Sequence, residues 1–301
     1  MVFGALFFIG AAANNTIEMR EITLKNDRST KMTILFLVAN LLALTPGFGQ
    51  DLLLYPKRIV FEGTQNRVQT VNLTNNGADT ATYRISFVQT RMTEEGMIEN
   101  IDNPEEGQRF ADPYLRVFPK TVSIAPGKSQ LVKLQLTKTS ELMPGEYRSH
   151  LYFRTEPKSK PLKANKEVKS EVSGINIEIT PVYGYAISSI IRIGEPTTEV
   201  QINELVLDTS AGSGPVLHMN FLRSGNMSTY GDIRIYHISP SGKESEIGKT
   251  KGFSIYAPGH LRKTSIELQP EGVDLSSGSL HITYASSGTG KNVYAQTSLA
   301  L

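Results

Sequence analysis

The stretch "LLLYPKRIVFEG", residues 52 to 63, carries the side chain whose setting most calls for a chemical explanation. Side chains alternate along an extended strand, which puts Leu52, Leu54, Arg58 and Val60 on one face and Leu53, Tyr55, Lys57, Ile59 and Phe61 on the other. Arg58 therefore sits in a largely apolar pattern. A guanidinium keeps its charge at any ordinary pH and is costly to desolvate without a partner. The strand pattern alone leaves open how that cost is met.

Other candidate chemistry is thin. "SSGTGKN", Ser286 to Asn292, resembles a phosphate loop but lacks the first glycine and has Asn292 where Ser or Thr should follow the lysine, so it reads as a turn between strands. No GxSxG, HExxH or dinucleotide fingerprint occurs. His150, His218, His237, His260 and His281 are scattered singly, and nothing near them in sequence completes a metal set. Glu94-Glu95 and Glu105-Glu106 flank glycines and read as turn residues at a solvated rim, and "NLT" at Asn72 and "NMS" at Asn226 match the glycosylation acceptor pattern. Tyr114, Tyr230 and Tyr256 are a thin supply of loop aromatics for a carbohydrate-binding module. The expectation is that the chain is not an enzyme and holds no cofactor, metal or small-molecule substrate.

Composition points the same way. A chain of 301 residues with 39% hydrophobic and 20% charged content suits two globular units with real cores. The net charge of +2 is too small to argue for nucleic acid or an anionic membrane. There is no cysteine, which removes disulfides, thiolate metal sites and cysteine nucleophiles.

Lys25, Arg28 and Lys31 precede an apolar run from about Thr33 to Leu44, followed by Pro46, Gly47 and Gly49. These are the parts of a secretory signal peptide, and the run is short for a membrane span. Cleavage is expected near Gly49 or Gln50. An early start codon, with Met32 the true initiator, accounts for residues 1 to 31 more simply than a functional extension.

From Asp51 onward short strands alternate with turn signals. Val71 and Leu73 share a face before an Asn-Asn-Gly turn, and Tyr83, Ile85 and Phe87 alternate with Arg84 and Ser86. Pro126-Gly127 suggests a hairpin leading to Val132, Leu134 and Leu136, and Pro144-Gly145 precedes Tyr147, Ser149, Leu151 and Phe153. A lysine-rich loop from about Pro157 to Ser170 is followed by Ile175, Ile177 and Ile179 in strict alternation. About six further strands follow, with Ser239-Pro240-Ser241-Gly242 as a hairpin turn. The expected fold is all-β: an extension and signal segment over residues 1–50, then immunoglobulin-like β-sandwich domains over 51–187 and 188–301.

The order of "YPKRIVFEG", "VNLTNNGADTATYRIS", "FPKTVSIAPGKSQLVKLQLTK" and "LMPGEYRSHLYFRTEP", then an alternating apolar strand, resembles the periplasmic pilus chaperones of the chaperone–usher pathway. The likeness covers roughly residues 51 to 187 and extends more loosely to "RSGNMSTYGDI" and "APGHLRK". It implies a periplasmic, ATP-independent chaperone that lends a strand to an incomplete pilin-like subunit and hands it to an outer-membrane usher. In that scheme Ile175, Ile177 and Ile179 form the donor strand, and Arg58 grips the subunit's C-terminal carboxylate. The family adds a lysine from the donor strand, but this chain has Thr180 there, which leaves Arg148, and less strongly Arg192, as the second base. The sequence does not decide whether free chaperone caps itself as a homodimer. The rival reading is a structural or adhesive surface protein built from the same sandwiches.

Overall fold

Alternation of apolar and polar residues builds the long strands, each burying every second side chain. In β9 (Ser129–Leu136), for example, Val132, Leu134 and Leu136 are buried while Lys133 and Gln135 face water. The computed structural model describes residues 52–157, 182–210, 214–288 and 292–301. The signal segment, the lysine-rich loop, Thr180 and the isoleucines at 175, 177 and 179 lie outside the described residues.

The first half runs through β1 (Leu52–Tyr55), β2 (Arg58–Glu62), β3 (Val68–Asn75), β4 (Ala81–Val88), the short β5 (Thr90–Met92) and β6 (Ile98–Asn100), then β7 (Leu115–Phe118), β8 (Thr121–Ile124), β9, β10 (Gly145–Glu156) and β11 (Gly184–Ile193). One sheet has the order β1-β3-β9-β7 and the other β2-β11-β10-β4-β8. Between them lies a core that includes Phe61, Leu73, Tyr83, Leu134, Leu151 and Phe153. β5 and β6 pair only with each other, as a hairpin.

Three expectations change here. "LLLYPKRIVFEG" is two strands: β1 pairs with β3 in one sheet and β2 with β11 in the other. Pro56 has no N–H with which to continue the first ladder. The switch alters the parity, so Leu52, Leu54, Ile59 and Phe61 all enter one core and Arg58 and Val60 face away from it. Likewise, Pro126-Gly127 makes a crossing between sheets rather than a hairpin, because β8 pairs with β4 and β9 with β3 and β7. The fully buried Asn75 fixes that crossing, donating from Nδ2 to the carbonyls of Ile124 and Asp79 at 2.8 Å each. Finally, the expected division at 187/188 falls inside β11, which pairs with β10 along its whole length. The passage to the second sandwich is therefore the segment 194–198.

The second half comprises β12 (Glu199–Asp208), β13 (Val216–Ser224), β14 (Thr229–Ile238), β15 (Glu244–Ile255), β16 (Leu261–Glu267), β17 (Ser279–Ser286) and β18 (Val293–Ala300), seven strands where about six were expected. The sheets have the orders β12-β13-β16 and β15-β14-β17-β18. Their core is centred on Phe221, Phe253 and Tyr284, with ring centroids 4.8 to 5.6 Å apart. The Tyr284 hydroxyl bonds to the Phe253 carbonyl at 3.0 Å, and burial raises its pKa above the ordinary tyrosine value.

The passage between sandwiches is pinned by side chains. Asn226 accepts from Thr197 N at 2.9 Å and donates to the Glu195 carbonyl at 3.0 Å. Thr198 Oγ1 accepts from Met227 N at 3.0 Å. Gly225 has a φ of +84°, and a Cβ there would lie 2.2 Å from the Thr197 carbonyl oxygen, so only glycine fits. Residues Gln50–Leu301 form one compact unit.

Candidate functional site: a cationic cleft between the sandwiches

Because Ile59 and Phe61, Ile187 and Ile191, and Tyr147, Leu151 and Phe153 point into the first core, their neighbours on β2, β11 and β10 point outward, toward the second sandwich. The register orders these outward residues into three rows. Arg58 lies opposite Ser188, which lies opposite His150; Val60, Ile190 and Arg148 form the next row, and Glu62, Arg192 and Glu146 the third. A strand face that ought to meet water is buried along much of its length: Arg148 is 3% exposed, His150 6% and Ile190 0%. The second sandwich covers it.

The third row is a lock. The buried Glu146 carboxylate accepts from Arg192 Nε at 3.2 Å and from Ser228 N at 3.0 Å, and it takes a short bond from the Ser228 hydroxyl. Arg192 also donates to the Ser228 carbonyl at 2.6 Å and reaches Glu62 at 3.5 Å. Ser228 Oγ in turn accepts from Ala257 N at 2.9 Å. Each group therefore finds a partner across the junction, the condition under which buried charge is tolerable.

The first two rows are different. Arg58 is half-buried, and its Nε and Nη2 are closed to solvent with no hydrogen-bond partner among the described residues. Its guanidinium carbon lies 4.8 Å from the centroid of the Tyr230 ring, which supplies a π face but no acceptor for those N–H groups. Desolvation lowers its pKa and the charge of Arg192 adds to the effect, although a guanidinium starts high enough to remain protonated. Arg148 lies over Tyr256 at 4.3 Å and donates to Thr90 Oγ1 and to the Ala257 carbonyl at 3.3 Å each, while its Nε is buried and unpaired. Desolvation again lowers its pKa most, and Arg58 is close enough to lower it further. His150 Nδ1 lies 3.0 Å from Thr90 Oγ1, and its ring meets Tyr256 edge-on. Burial, and then Arg148, push its pKa down to about 4, so it is neutral at ordinary pH.

Arg223 shows what a purely structural buried arginine looks like in this protein. It donates from Nε to the Gly259 carbonyl at 2.8 Å, from Nη1 to Gly225 and Met227 at 2.9 and 3.0 Å, and from Nη2 to Pro258 at 3.2 Å. Every guanidinium nitrogen is used. Arg58 is also desolvated, and its Nε and Nη2 have no such acceptors among the described residues. A carboxylate is the natural complement, since its oxygens accept charge-assisted bonds from such a fork.

Of the sequence-derived candidates, Arg58 and Arg148 lie on the same cleft face, whereas Arg192 is committed to the lock. The residue beside Arg58 on β11 is Ser188, so the described residues put no lysine at that position. Sequence reasoning missed Glu146, Ser228, Tyr230, Tyr256 and His150 as parts of one site, because they come from segments far apart in the chain. Glu94 is the exposed turn residue that its sequence setting suggests, but the sequence does not show its partner. Its carboxylate pairs with Lys263 at 2.7 Å and its carbonyl accepts from Lys263 N at 2.7 Å, which docks the β5–β6 hairpin on β16 of the second sandwich. Among the described residues no cluster of His, Asp and Glu could hold a metal.

No protein-family model and no curated protein matches the sequence. Among solved structures, the chain is similar to the CupB2 chaperone of Pseudomonas aeruginosa, at 12% identity and a TM-score of 0.42 over 83% of this chain and 100% of that one. It is similar to a chain of the CsuC–CsuE chaperone–tip adhesion subunit pre-assembly complex from the archaic chaperone–usher Csu pili of Acinetobacter baumannii, at 13% identity and 0.42 over 81% and 97%. The E. coli chaperone DraB matches at 12% identity and 0.39 over 83% and 96%. Each of these solved structures is, or contains, a chaperone, and this chain's own sheets form two β-sandwiches.

Proposed function

We propose that this protein is a periplasmic chaperone that binds pilin-like subunits in the cleft between its sandwiches and hands them to an outer-membrane usher. The observation that carries the reading is the pair of unpartnered donors on Arg58, where the deeply buried Arg223 has every guanidinium nitrogen bonded. In this reading the C-terminal carboxylate of a guest polypeptide supplies the acceptor, without burying a further charge of its own uncompensated. Arg58 is the principal anchor. Arg148, whose Nε alone is free, assists it.

In this reading the strand of Ile175, Ile177 and Ile179 completes the guest's unfinished core, with alternate side chains filling its pockets. Burial of that apolar surface, at about 25 cal/mol per Å², drives the guest to fold without a nucleotide. The anchored carboxylate fixes the register of the added strand, where a slip of one residue would turn every isoleucine away from its pocket. Tyr55, Leu131 and Phe118 are exposed on β1, β9 and β7 of one sheet, with Asn72 between the first two and Lys133 opposite the third, and in this reading they meet the usher.

The test is co-expression with a secreted pilin-like subunit, followed by pull-down on wild type, Arg58→Ala and Ile177→Asp. Both variants should lose the subunit while keeping a native circular dichroism spectrum. Retention at wild-type yield by both would refute strand donation anchored at Arg58.

A further inference from the structure

Next to Arg58 the cleft widens into a cavity of about 540 Å³ between the sandwiches. Its wall includes Ser188, the register partner of Arg58, and His150 and Tyr256, which flank Arg148. The remaining polar wall holds the neutral Thr250 and Ser254 and three cations, Lys57 from the first sandwich and Lys251 and Arg262 from the second. Among the described residues no Asp or Glu lines it. Met92, Ile98 and Phe253 supply apolar surface beside these charges.

Arg262 is held in place there. Its Nη1 donates to the Lys263 carbonyl at 3.2 Å, its guanidinium carbon lies 5.2 Å from the Phe253 ring centroid, and its Nε is buried without a partner. A Cβ on Gly96 would fall 1.7 Å from that guanidinium carbon, so glycine at the hairpin tip is what leaves the side chain room. Of the adjoining acids, Glu94 pairs with Lys263, and Glu95 lies close enough to act on Arg262 through space.

We propose that this cavity is a second anion subsite, which takes an Asp or Glu side chain near the C-terminus of the same polypeptide whose terminal carboxylate Arg58 holds. The inference rests on the carboxylate-anchor reading given above and adds a preference within it. The anchor would accept any free C-terminus, whereas a pocket with three cations and no acid selects guests that are acidic just before theirs. An apolar wall next to the cations strengthens the attraction by keeping water from one side of it.

The test uses four short synthetic peptides with one alternating apolar body and an N-terminal dye. They end in a free carboxylate or an amide, and carry either Glu or Gln at the second and third positions from the C-terminus. Fluorescence anisotropy with the purified chain at low salt should show the Glu peptide binding about fivefold more tightly than the Gln peptide when both end in a carboxylate. The advantage should disappear in a Lys57→Met/Lys251→Met double variant, which alters only exposed residues, and should fade at high salt. Equal affinity for Glu and Gln peptides, with amidation still weakening both, overturns the subsite and leaves the anchor standing. A preference for Glu that is indifferent to amidation overturns the anchor and relocates recognition to the pocket. Failure of every peptide to bind overturns both.

Discussion

Replacing Arg58 with methionine should make the free protein more stable and useless. The substitution keeps an unbranched stem of similar reach and removes the charged head. In the wild type that head leaves two buried N–H donors unmatched, and an unsatisfied buried donor costs about 1–3 kcal/mol. Against this stands the stacking on Tyr230 at 4.8 Å, worth about 0.5–2 kcal/mol, and the part of the side chain that reaches solvent. The balance favours Arg58→Met by about 1 kcal/mol, which for a chain of this size raises Tm by roughly 2–4 °C. Urea unfolding and calorimetry would measure it, alongside subunit pull-down from the same preparation. Arg223→Met serves as the control: removing a guanidinium from beneath several carbonyls should lower stability by about 3 kcal/mol. A fall in urea midpoint for Arg58→Met comparable to that of Arg223→Met would refute the reasoning, since Arg58 would then be structural and its donors no indication of a missing guest.

The lock and the histidine give two further expectations. Glu146→Ala strips the acceptor from Arg192 and from both donors of Ser228, and loss of one member of a buried charged network costs about 3–5 kcal/mol; urea unfolding should show that loss, and small-angle scattering a wider spread of angles between the sandwiches. His150, with its pKa pushed down to about 4, binds fewer protons folded than unfolded between that value and the ordinary 6.5. Its contribution is therefore fully present above pH 6.5 and lost progressively as pH falls toward 4, by an amount on the order of 2–3 kcal/mol. Urea midpoints for wild type and His150→Gln across that range should converge as pH falls; a constant difference would rule out linkage through His150.

Much of the fold was legible in the sequence because strand alternation is a local signal. Val71 and Leu73, Tyr83 and Ile85, Val132, Leu134 and Leu136, and Leu151 and Phe153 are buried as their spacing implied. Turn chemistry was local too, and Ser239 to Gly242 does join β14 to β15. What the spacing could not reveal is which sheet a strand joins. β8 and β9 read as a hairpin because Pro-Gly makes a tight turn either way, and only the partners of each strand distinguish a hairpin from a crossing.

The sequence by itself determined that this is a chain of short alternating strands, without cysteine or any contiguous catalytic motif, and that a guanidinium falls within an apolar run at Arg58. The tertiary structure decided everything about that guanidinium's surroundings. The sheet switch at Pro56 turned Arg58 outward, the second sandwich then covered it, and Tyr230, Tyr256, Ser228 and Ala257 arrived from residues far along the chain. Burial and hydrogen-bond satisfaction are properties of a packed interface rather than of a segment. A sequence can therefore show that a charge sits in an apolar stretch, but only the assembled cleft shows that its donors go unmet.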